Sequence, residues 1–307
     1  MPHNSTITIF GGTGFLGQYI VRELAKQGKT IRIPSREPNK ALPLKINGSV
    51  GQIAPFHCSI RNDSEVSAAI RGADGVINLI GIMNEDRKNS FQGIHVETAA
   101  RISRIAKEEG AKKLLHVSAL GADSDAKSAY ARSKAAGELA VRTFFPDAII
   151  FRPGIVFGPE DNFLNRFASL TRFSPIIPVP NSGLARLQPA YVGDIAKAAG
   201  SALSKTNADG ETYELGGKNI YSLRALLELM LLEMNRKRFL MNLPLPLAKL
   251  ATTLIGLAPS PTITKNQLRL MTANNIVGPT FGAKTFADLE VSPTALEAVI
   301  PTYLGFK

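Results

Sequence analysis

The stretch TITIFGGTGFLGQYIVRELAKQG, residues 6–28, joins a short apolar run, a glycine-rich turn and an amphipathic pattern. In this order the three parts predict a β-strand, a tight turn and an α-helix. Gly11, Gly14 and Gly17 fit the spacing G-x-x-G-x-x-G, whereas Gly12, Gly14 and Gly17 fit G-x-G-x-x-G. Either spacing lets backbone approach a pyrophosphate, and the helix N-terminus offers it free N–H groups. The stretch therefore predicts a dinucleotide-binding turn.

Apolar runs and helical patterns keep alternating through the first two-thirds of the chain. Further strand candidates lie at 30–34, 50–58, 75–81, 113–120 and 148–154, with a late one at 212–217. Strands and helices that alternate at this rhythm predict right-handed crossovers and a parallel sheet covered on both faces. The predicted fold class is α/β, a Rossmann-type doubly wound parallel sheet with a smaller, mainly helical C-terminal lobe. Such a sheet binds ligands at the carboxyl ends of its strands.

The rhythm breaks after about residue 155, and this break sets the predicted domain boundaries. Residues 1–155 are predicted to form the dinucleotide-binding domain, completed by about 185–215. Residues 156–184 and 216–307 are predicted to form a smaller lobe for a substrate or a partner.

Composition narrows the class of protein. The chain has 307 residues, a net charge of +11 and one cysteine, Cys58. One cysteine cannot form an internal disulfide and suits a reducing compartment. The early first strand leaves no room for a signal peptide, and no apolar run is long enough to span a membrane, so neither is expected. The lysines and arginines are scattered along the chain. The sequence has neither zinc-ligand spacing nor an RNA-binding pattern, so we expect no metal and no nucleic-acid partner.

The second predicted strand ends in Ser35 and Arg36, where NAD-preferring sites usually have Asp or Glu. A guanidinium can pair with the 2′-phosphate that distinguishes NADP from NAD. Arg36 therefore predicts that NADP(H) is preferred over NAD(H). A solvent-facing arginine beside Glu37 is the alternative, and the local pattern leaves it open.

Tyr130 and Lys134 stand four residues apart in SAYARSKAAGE. One helical turn separates them, so both project from one helix face. The ammonium is expected to lower the pKa of the phenol from its reference value of about 10, which would let Tyr130 exchange a proton with a carbonyl–alcohol pair. The spacing alone is a weak signal, because Tyr303 and Lys307 repeat it. The first pair has more support, since Ser118 precedes it at the tip of a predicted strand.

Four segments, FGGTGFLG, HVSALGAD, YARSK and FRPGIVFGPEDNF, together resemble the extended and atypical short-chain dehydrogenase/reductase superfamily. Within it, the chain is similar over almost its whole length to the NADPH-containing accessory subunits of respiratory complex I (NADH:ubiquinone oxidoreductase) and their bacterial relatives. The resemblance implies Ser118, Tyr130 and Lys134 as catalytic residues. The cofactor contacts that it implies are Gly11, Thr13, Gly14, Phe15, Leu16, Arg36, Ile60, Leu79, Gly81, Ser118, Tyr130, Lys134 and Pro153.

The same resemblance assigns these contacts to parts of the dinucleotide. The glycine turn would line the pyrophosphate, and Ile60 would lie near adenine. Residues 79–81 would pass beneath the dinucleotide, and Pro153 would pack near the nicotinamide ring.

Three positions depart from the superfamily pattern. Ala119 stands where active extended reductases usually carry a second Ser or Thr that polarises the substrate. The segment NLIG replaces an Asn-Ala-Gly segment, and His95 falls where an Asn is common. Losing a donor to a developing oxyanion typically costs several kcal/mol of barrier. The resemblance therefore implies a site that binds the cofactor well and turns over slowly or never.

On these grounds the chain is predicted to be an NADP(H)-binding accessory or assembly protein of complex I, with a structural or regulatory cofactor. Its partners would be membrane-bound subunits of that complex. It would lie in the cytoplasm on the inner face of the inner membrane, or on the matrix side in an organelle. Two alternatives stay open: an active NADP-dependent oxidoreductase or epimerase acting on a small carbonyl or sugar-nucleotide, and an NADP-sensing regulator.

The C-terminal lobe combines a basic cluster, residues 236–238, with the apolar segment LPLPLAKLATTLIGLAP, residues 243–259. The segment is too short and too interrupted for a membrane span. It predicts an interfacial helix, with the basic cluster facing anionic lipid headgroups. The alternative is that its leucines close the lobe over the cofactor.

Overall fold

The computed structural model describes residues 5–248, 265–278 and 282–304. In chain order its strands are β1 (Thr6–Phe10), β2 (Thr30–Ser35), β3 (Ile53–His57), β4 (Gly75–Asn78), β5 (Lys113–Val117), β6 (Ile149–Pro153), β7 (Val156–Phe157), β8 (Ile176–Pro180), β9 (Arg186–Leu187), β10 (Ala190–Tyr191), β11 (Thr212–Leu215), β12 (Tyr221–Ser222) and β13 (Phe239–Leu243).

Its α-helices are α1 (Phe15–Lys26), α2 (Asp63–Ile70), α3 (Thr98–Glu108), α4 (Ala129–Phe144), α5 (Leu164–Phe173), α6 (Val192–Ser204), α7 (Leu223–Glu233), α8 (Lys265–Thr272), α9 (Leu296–Val299) and α10 (Pro301–Leu304). A π-helical segment, Gln92–Glu97, runs directly into α3. Short 3-10 helices lie at Pro38–Asn47, Asn181–Gly183, Thr206–Ala208 and Ala287–Leu289.

Seven strands form one sheet in the order β11-β6-β5-β4-β1-β2-β3, and every neighbouring pair is parallel. Sequential strands proceed outward from β1 in both directions, as the doubly wound arrangement requires. The α/β class, the parallel sheet and the helical C-terminal portion predicted from the sequence are confirmed.

The apolar periodicity of the first helix explains why it packs on the sheet. Ile20, Val21 and Leu24 recur on one face of α1 and are fully buried. Burying each such side chain contributes about 1.5–3 kcal/mol relative to leaving it exposed.

Contacts between backbone segments divide the chain into two compact units. The first holds the described residues of 1–153, 192–215 and 280–292, and the second holds those of 154–191, 216–279 and 293–307.

Two boundaries differ from the predicted ones, and backbone pairing explains both. Residues 185–191 belong to the second unit because β10 pairs with β7. The described residues of 280–292 return to the first unit because Lys284 pairs with β11: its N–H donates to the Thr212 carbonyl at 2.8 Å, and its carbonyl accepts from Glu214 N–H at 2.7 Å.

The second unit contains three two-stranded sheets, β7–β10, β9–β12 and β8–β13, around its own apolar core. Tyr303 belongs to this core, and its hydroxyl donates to Asp161 Oδ2 at 3.0 Å. The Asp161 carboxylate also accepts backbone N–H groups at the start of α5, from Phe163 at 2.9 Å and Leu164 at 2.7 Å. Tyr303, whose spacing to Lys307 repeats that of Tyr130 and Lys134, is therefore a buried structural tyrosine. Lys307 lies outside the described residues.

No helix in the described ranges is long and apolar enough to cross a membrane. The apolar segment 243–259 is described only as far as residue 248. Its predicted interfacial helix therefore lies largely outside the described residues.

Candidate functional site

The predicted cofactor residues lie along one edge of the seven-stranded sheet. Parallel neighbouring strands bring their carboxyl ends to the same edge. Successive strands therefore present, from one side of that edge to the other, Pro153 at the end of β6, Ser118 after β5, Leu79 after β4, Gly11 after β1, Arg36 after β2 and Ile60 after β3. The predicted cofactor residues are thus distributed across six neighbouring strands, from β6 to β3.

The glycine-rich turn is built on close backbone approaches. Gly11 has φ +82°, a conformation that favours glycine, and a Cβ added there would meet Leu79 Cβ at 3.2 Å. A Cβ on Gly17 would lie 2.3 Å from the Gly11 carbonyl oxygen, so only glycine lets α1 pack this closely on the turn. Thr13 is held within the turn by its carbonyl, which accepts from Gln18 Nε2 at 3.2 Å.

The N-terminus of α1 is free to bind an anion. Gly14 is its N-cap and has no side chain to satisfy the first N–H groups, and the first turn has no acidic residue. Phe15 and Leu16, the first two helical residues, are half-buried, and Phe15 packs edge-on against Tyr19. Uncapped N–H groups and the positive end of the helix dipole attract phosphate at this position.

Arg36 is exposed at the end of β2. Across residues 5–248, 265–278 and 282–304 its guanidinium has neither a hydrogen bond nor an ion pair. Glu37 pairs instead with Lys40 at 2.9 Å. Arg36 faces solvent beside Glu37, as the alternative expects, so the preference for NADP(H) over NAD(H) stays a prediction. Ile60, at the far end of the same edge, is half-buried and packs against the core.

Tyr130 is half-buried against two aromatic rings at the other end of the edge. Its ring meets His95 edge-on at a centroid distance of 5.6 Å and Phe91 at 6.0 Å. Burial raises the pKa of Tyr130 to about 12. The expected lowering of this pKa by Lys134 is wrong, because desolvation of the phenolate outweighs any effect of the neighbouring ammonium.

Lys134 is almost fully buried, and its ammonium donates to the Val117 carbonyl at 2.9 Å. Burial lowers the pKa of Lys134 to about 8, against an opposing influence from Glu138. Gly81 lies beside this group, since a Cβ added there would be 3.6 Å from Lys134 Nζ and 3.6 Å from His95 Nε2. The structure thus brings Gly81, His95, Tyr130 and Lys134 together.

His95 is a site residue that the sequence indicated only as a departure from a pattern. Its Nε2 accepts the Ile82 N–H at 3.0 Å, so Nδ1 carries the proton and donates to Ser133 Oγ at 2.8 Å. Ser133 in turn donates to the Tyr130 carbonyl at 2.7 Å. Burial lowers the pKa of His95 to about 3, so the ring is neutral at physiological pH. The chain of bonds joins the loop after β4 to the first turn of α4.

A buried ionic group behind Lys134 was not predicted from the sequence. Arg152 donates to both carboxylate oxygens of Glu138, at 2.9 and 2.7 Å, and lies 3.7 Å from Glu214. Hydrogen bonding to Glu138 raises the pKa of Arg152. The negative charges of Glu138 and Glu214 balance the positive charges of Arg152 and Lys134. The one available signal was that Glu138 follows Lys134 by one helical turn.

Ser118 carries a buried hydroxyl directly after the end of β5. Its Oγ is the only buried side-chain polar atom without a hydrogen bond in the part of the chain that the structure describes. The Ser118 N–H donates to the Phe151 carbonyl at 2.7 Å. Leaving a buried hydroxyl unsatisfied costs about 1–3 kcal/mol. The neighbouring Ala119 offers no second hydroxyl.

The residues present fit a nicotinamide dinucleotide. The glycine turn and the uncapped helix suit a pyrophosphate, and the exposed guanidinium of Arg36 suits a phosphate at the ribose. Ser118 and Lys134 can donate to hydroxyl or carbonyl oxygens at the opposite end. Among the described residues there is no group of three or more His, Cys, Asp or Glu side chains that could hold a metal ion.

The chain is similar to known proteins over most of its length. The family model described as the NAD dependent epimerase/dehydratase family matches residues 7–216. NADH dehydrogenase [ubiquinone] 1 alpha subcomplex subunit 9, mitochondrial, of Arabidopsis thaliana is 34% identical over 302 residues, covering 94% of this chain and 75% of the relative. The Rattus norvegicus protein of the same name is 35% identical over 297 residues, covering 94% of this chain and 77% of the relative.

A solved structure supports the fold. The triphenylmethane reductase of Citrobacter sp. in complex with NADP(H) matches with a TM-score of 0.75 and 18% identity, covering 97% of this chain and 99% of that one. At this identity the likeness shows the fold alone.

Proposed function

The chain belongs to the NAD dependent epimerase/dehydratase family, and from that premise we propose that it is an NADP(H)-binding accessory or assembly protein of respiratory complex I. The observation that carries the cofactor proposal is the buried hydroxyl of Ser118, which has no hydrogen-bond partner among the residues that the structure describes. A ligand bound at the carboxyl ends of the strands would give this hydroxyl a hydrogen-bond partner.

NADP(H) is the preferred cofactor in this proposal. The support is Arg36, a guanidinium without a protein partner among the described residues, at the end of β2. In a family site this position faces the adenosine ribose. A 2′-phosphate would pair with the guanidinium, whereas a ribose hydroxyl would give it no charge partner.

Lys134 and Tyr130 would hold the nicotinamide end of the cofactor, whereas Ala119 would limit catalysis. When bound, the nicotinamide supplies the capacity for hydride transfer. Lys134 would donate to the neighbouring ribose, and Tyr130 would act as a neutral hydrogen-bond donor, because burial raises its pKa to about 12. Ala119 supplies no donor to polarise a carbonyl. The cofactor would then be mainly structural or regulatory, stabilising the native state by binding to it.

The accessory role is supported by relatives, named as mitochondrial NADH dehydrogenase subunits, that align with 94% of this chain. Its partners would be membrane-bound subunits of the respiratory complex. Its place would be peripheral, on the inner face of the inner membrane in a cell or on the matrix side in a mitochondrion.

An active NADP-dependent oxidoreductase or epimerase is the second candidate. The observation that favours it is that Lys134 and His95 lie beside Gly81 and Tyr130 packs against His95, with Ser118 on the same edge. An NADP-sensing regulator would use the same contacts without turnover.

One set of measurements tests these proposals. The purified protein is expected to carry NADPH, and Arg36→Ala is expected to weaken NADPH binding about tenfold or more while leaving NADH binding unchanged. Lys40→Ala, which removes an exposed cation nearby, is the control. Equal effects of Arg36→Ala on both nucleotides would contradict the NADP assignment.

Turnover and association are tested with the same protein. The accessory proposal expects no NADPH oxidation against a panel of carbonyl compounds, and complex I subunits should co-purify. Turnover that disappears in Tyr130→Phe would support the enzyme instead.

A further inference from the structure

The smaller unit exposes an apolar sheet face. Strands β8 and β13 pair in parallel with Phe239 beside Ile176 and Met241 beside Pro178. The intervening Leu240 packs against the unit's core. Because side chains alternate along a strand, Phe239 and Met241 point away from that core. A sheet face turned to water usually carries polar residues, whereas Phe239 here is 67% exposed.

One more aromatic side chain extends this surface. Phe173, the last residue of α5, is 89% exposed, and Ile176 is also exposed. The Phe239 N–H donates to the Pro175 carbonyl at 2.9 Å, which holds β13 beside the turn that carries Phe173. We call this surface, made of Phe173, Ile176, Pro178, Phe239 and Met241, the β8–β13 outer face.

Cations flank the outer face, and among the described residues Arg172, Lys237 and Arg238 form no ion pair with a carboxylate. Arg238 donates to two carbonyl oxygens, Thr171 O at 2.8 Å and Lys237 O at 2.9 Å. The first of these lies in the last turn of α5, where the helix dipole favours positive charge. Arg172 and Lys237, which adjoin the outer face in sequence, are exposed.

The absence of acidic residues around this surface is a feature of the sequence. Segments 162–193 and 234–279 contain nine lysines and arginines and no aspartate or glutamate. The whole second unit holds twelve basic residues against five acidic ones. The net charge of +11 is therefore concentrated in this unit, although the first unit is larger.

We propose that the β8–β13 outer face docks the protein onto the surface of an anionic phospholipid bilayer. Exposed aromatic and aliphatic side chains beside Lys and Arg are the composition that binds the lipid interface. A protein interface is depleted in lysine and pairs charges of both signs, so the uniform positive charge here favours headgroups. Two copies of this chain would repel one another through the same face. The proposal deepens the proposed function, since a partner of membrane-bound subunits works beside a bilayer.

Vesicle flotation with the full-length protein tests this surface. We expect binding to phosphatidylcholine vesicles that contain phosphatidylglycerol, and little binding to phosphatidylcholine alone. Phe239→Ser with Met241→Ser should weaken binding about tenfold or more. The matched control, Val50→Ser with Leu139→Ser, removes two exposed apolar side chains from the first unit and should leave binding unchanged.

Charge reversal supplies a second comparison. Arg172→Glu and Lys237→Glu should each weaken binding to anionic vesicles by about fivefold or more, because each headgroup-facing cation contributes on that scale. Lys26→Glu, an exposed lysine of the first unit, is the control. Equal losses in both units would mean that only net charge matters, and would overturn the assignment to this face.

A fluorescent reporter tests the same surface with a variant that keeps an aromatic side chain and is therefore expected to fold. The chain has no tryptophan, so Phe239→Trp gives one emitting side chain and keeps an aromatic ring at the site. Its emission should resemble that of water-exposed tryptophan and shift to shorter wavelength with anionic vesicles, whereas Val50→Trp should not respond. Emission already blue-shifted without vesicles would show that protein covers the face, and would contradict the proposal.

The remaining outcomes are also decisive. A wild-type protein that ignores anionic vesicles, binds an acidic protein through this face or self-associates through it would refute lipid docking. NADPH affinity of the same variants separates the two proposals. Lost vesicle binding with intact NADPH binding and co-purifying subunits would leave the proposed function standing. Vesicle binding by a protein that carries no NADP(H) would support lipid docking and contradict the proposed cofactor.

Discussion

The imidazole of His95 donates from Nδ1 to the hydroxyl of Ser133 at 2.8 Å, which joins a π-helical turn to the helix that carries Tyr130 and Lys134. Because the opposite ring nitrogen accepts the Ile82 N–H, protonating the ring would break one bond and place a charge in a buried site. The interaction therefore requires a neutral histidine.

The pH dependence of stability follows from this requirement. Burial lowers the pKa of His95 from 6.5 to about 3, so between these values the unfolded chain binds a proton that the folded protein does not. The free energy of unfolding should fall as pH drops from about 6.5 towards 3, with a slope of up to about 1.4 kcal/mol per pH unit from this residue. Urea unfolding at pH 7.5, 6 and 5 measures it.

His95→Gln is the comparison for that measurement. It should be less stable at pH 7.5 and should show a shallower loss towards pH 5. His57, which is exposed, provides the control variant His57→Gln. If wild type and His95→Gln lose stability in parallel, His95 is not the source of the slope.

Removing one charge from the buried ionic group of Glu138, Arg152 and Glu214 should destabilise the protein. Glu138→Gln leaves Arg152 without its bidentate partner and removes the negative charge that supports the Lys134 ammonium. Breaking a buried pair from one side typically costs about 3–5 kcal/mol. Chemical denaturation should show a loss on this scale. Glu108→Gln breaks an exposed pair with Arg104 and should cost less than about 1 kcal/mol. Similar losses for both variants would contradict the buried-pair account.

Two glycines of the dinucleotide edge should respond differently to the same substitution. Gly17→Ala places a Cβ 2.3 Å from the Gly11 carbonyl oxygen and should destabilise the fold and abolish NADPH binding. Gly81→Ala meets its nearest atoms at 3.6 Å, so the protein should fold normally. It should nevertheless bind NADPH more weakly, because the methyl group occupies space beside Lys134. Thermal unfolding and nucleotide titration of both variants provide the check, and normal NADPH binding by Gly17→Ala would argue against the turn as described.

Tyr130 and Tyr303, each followed by a lysine four residues later, should respond differently to substitution by phenylalanine. Tyr303→Phe removes the hydrogen bond to Asp161 and should lower the free energy of unfolding by about 1–2 kcal/mol without changing NADPH affinity. Tyr130→Phe should have the opposite profile, with weaker NADPH binding and little change in stability. A Tyr303→Phe protein with impaired nucleotide binding would show that the spacing had been assigned to the wrong pair.

The strands and the glycine turn could be predicted from the sequence because their signals are local. Apolar runs, turn glycines and helical periodicity lie within segments of a few residues, and all seven strands of the main sheet were located. Once the sheet is parallel, the strand ends that bring Gly11, Leu79 and Ser118 to one edge follow from topology.

The polar network of the site could not be predicted in the same way. His95 and Ser133 are 38 residues apart, and Arg152 reaches Glu138 from a different element, so no spacing reveals either pair. The direction of the Tyr130 pKa was missed for a related reason. Spacing indicates that a lysine is near, but the dominant influence is burial by Phe91 and His95, which only the folded chain displays.

The π-helical turn Gln92–Glu97 makes the length of this segment part of the site. A π-turn accommodates one residue more than the α-helical turn it interrupts, and one residue corresponds to about 100° of rotation in an α-helix. If the turn relaxed to α-helix while keeping all its residues, Phe91 would swing by about 100° round the helix axis relative to α3. No substitution at Phe91 or His95 could restore the arrangement. In this part of the chain, residue count specifies the geometry as firmly as residue identity does.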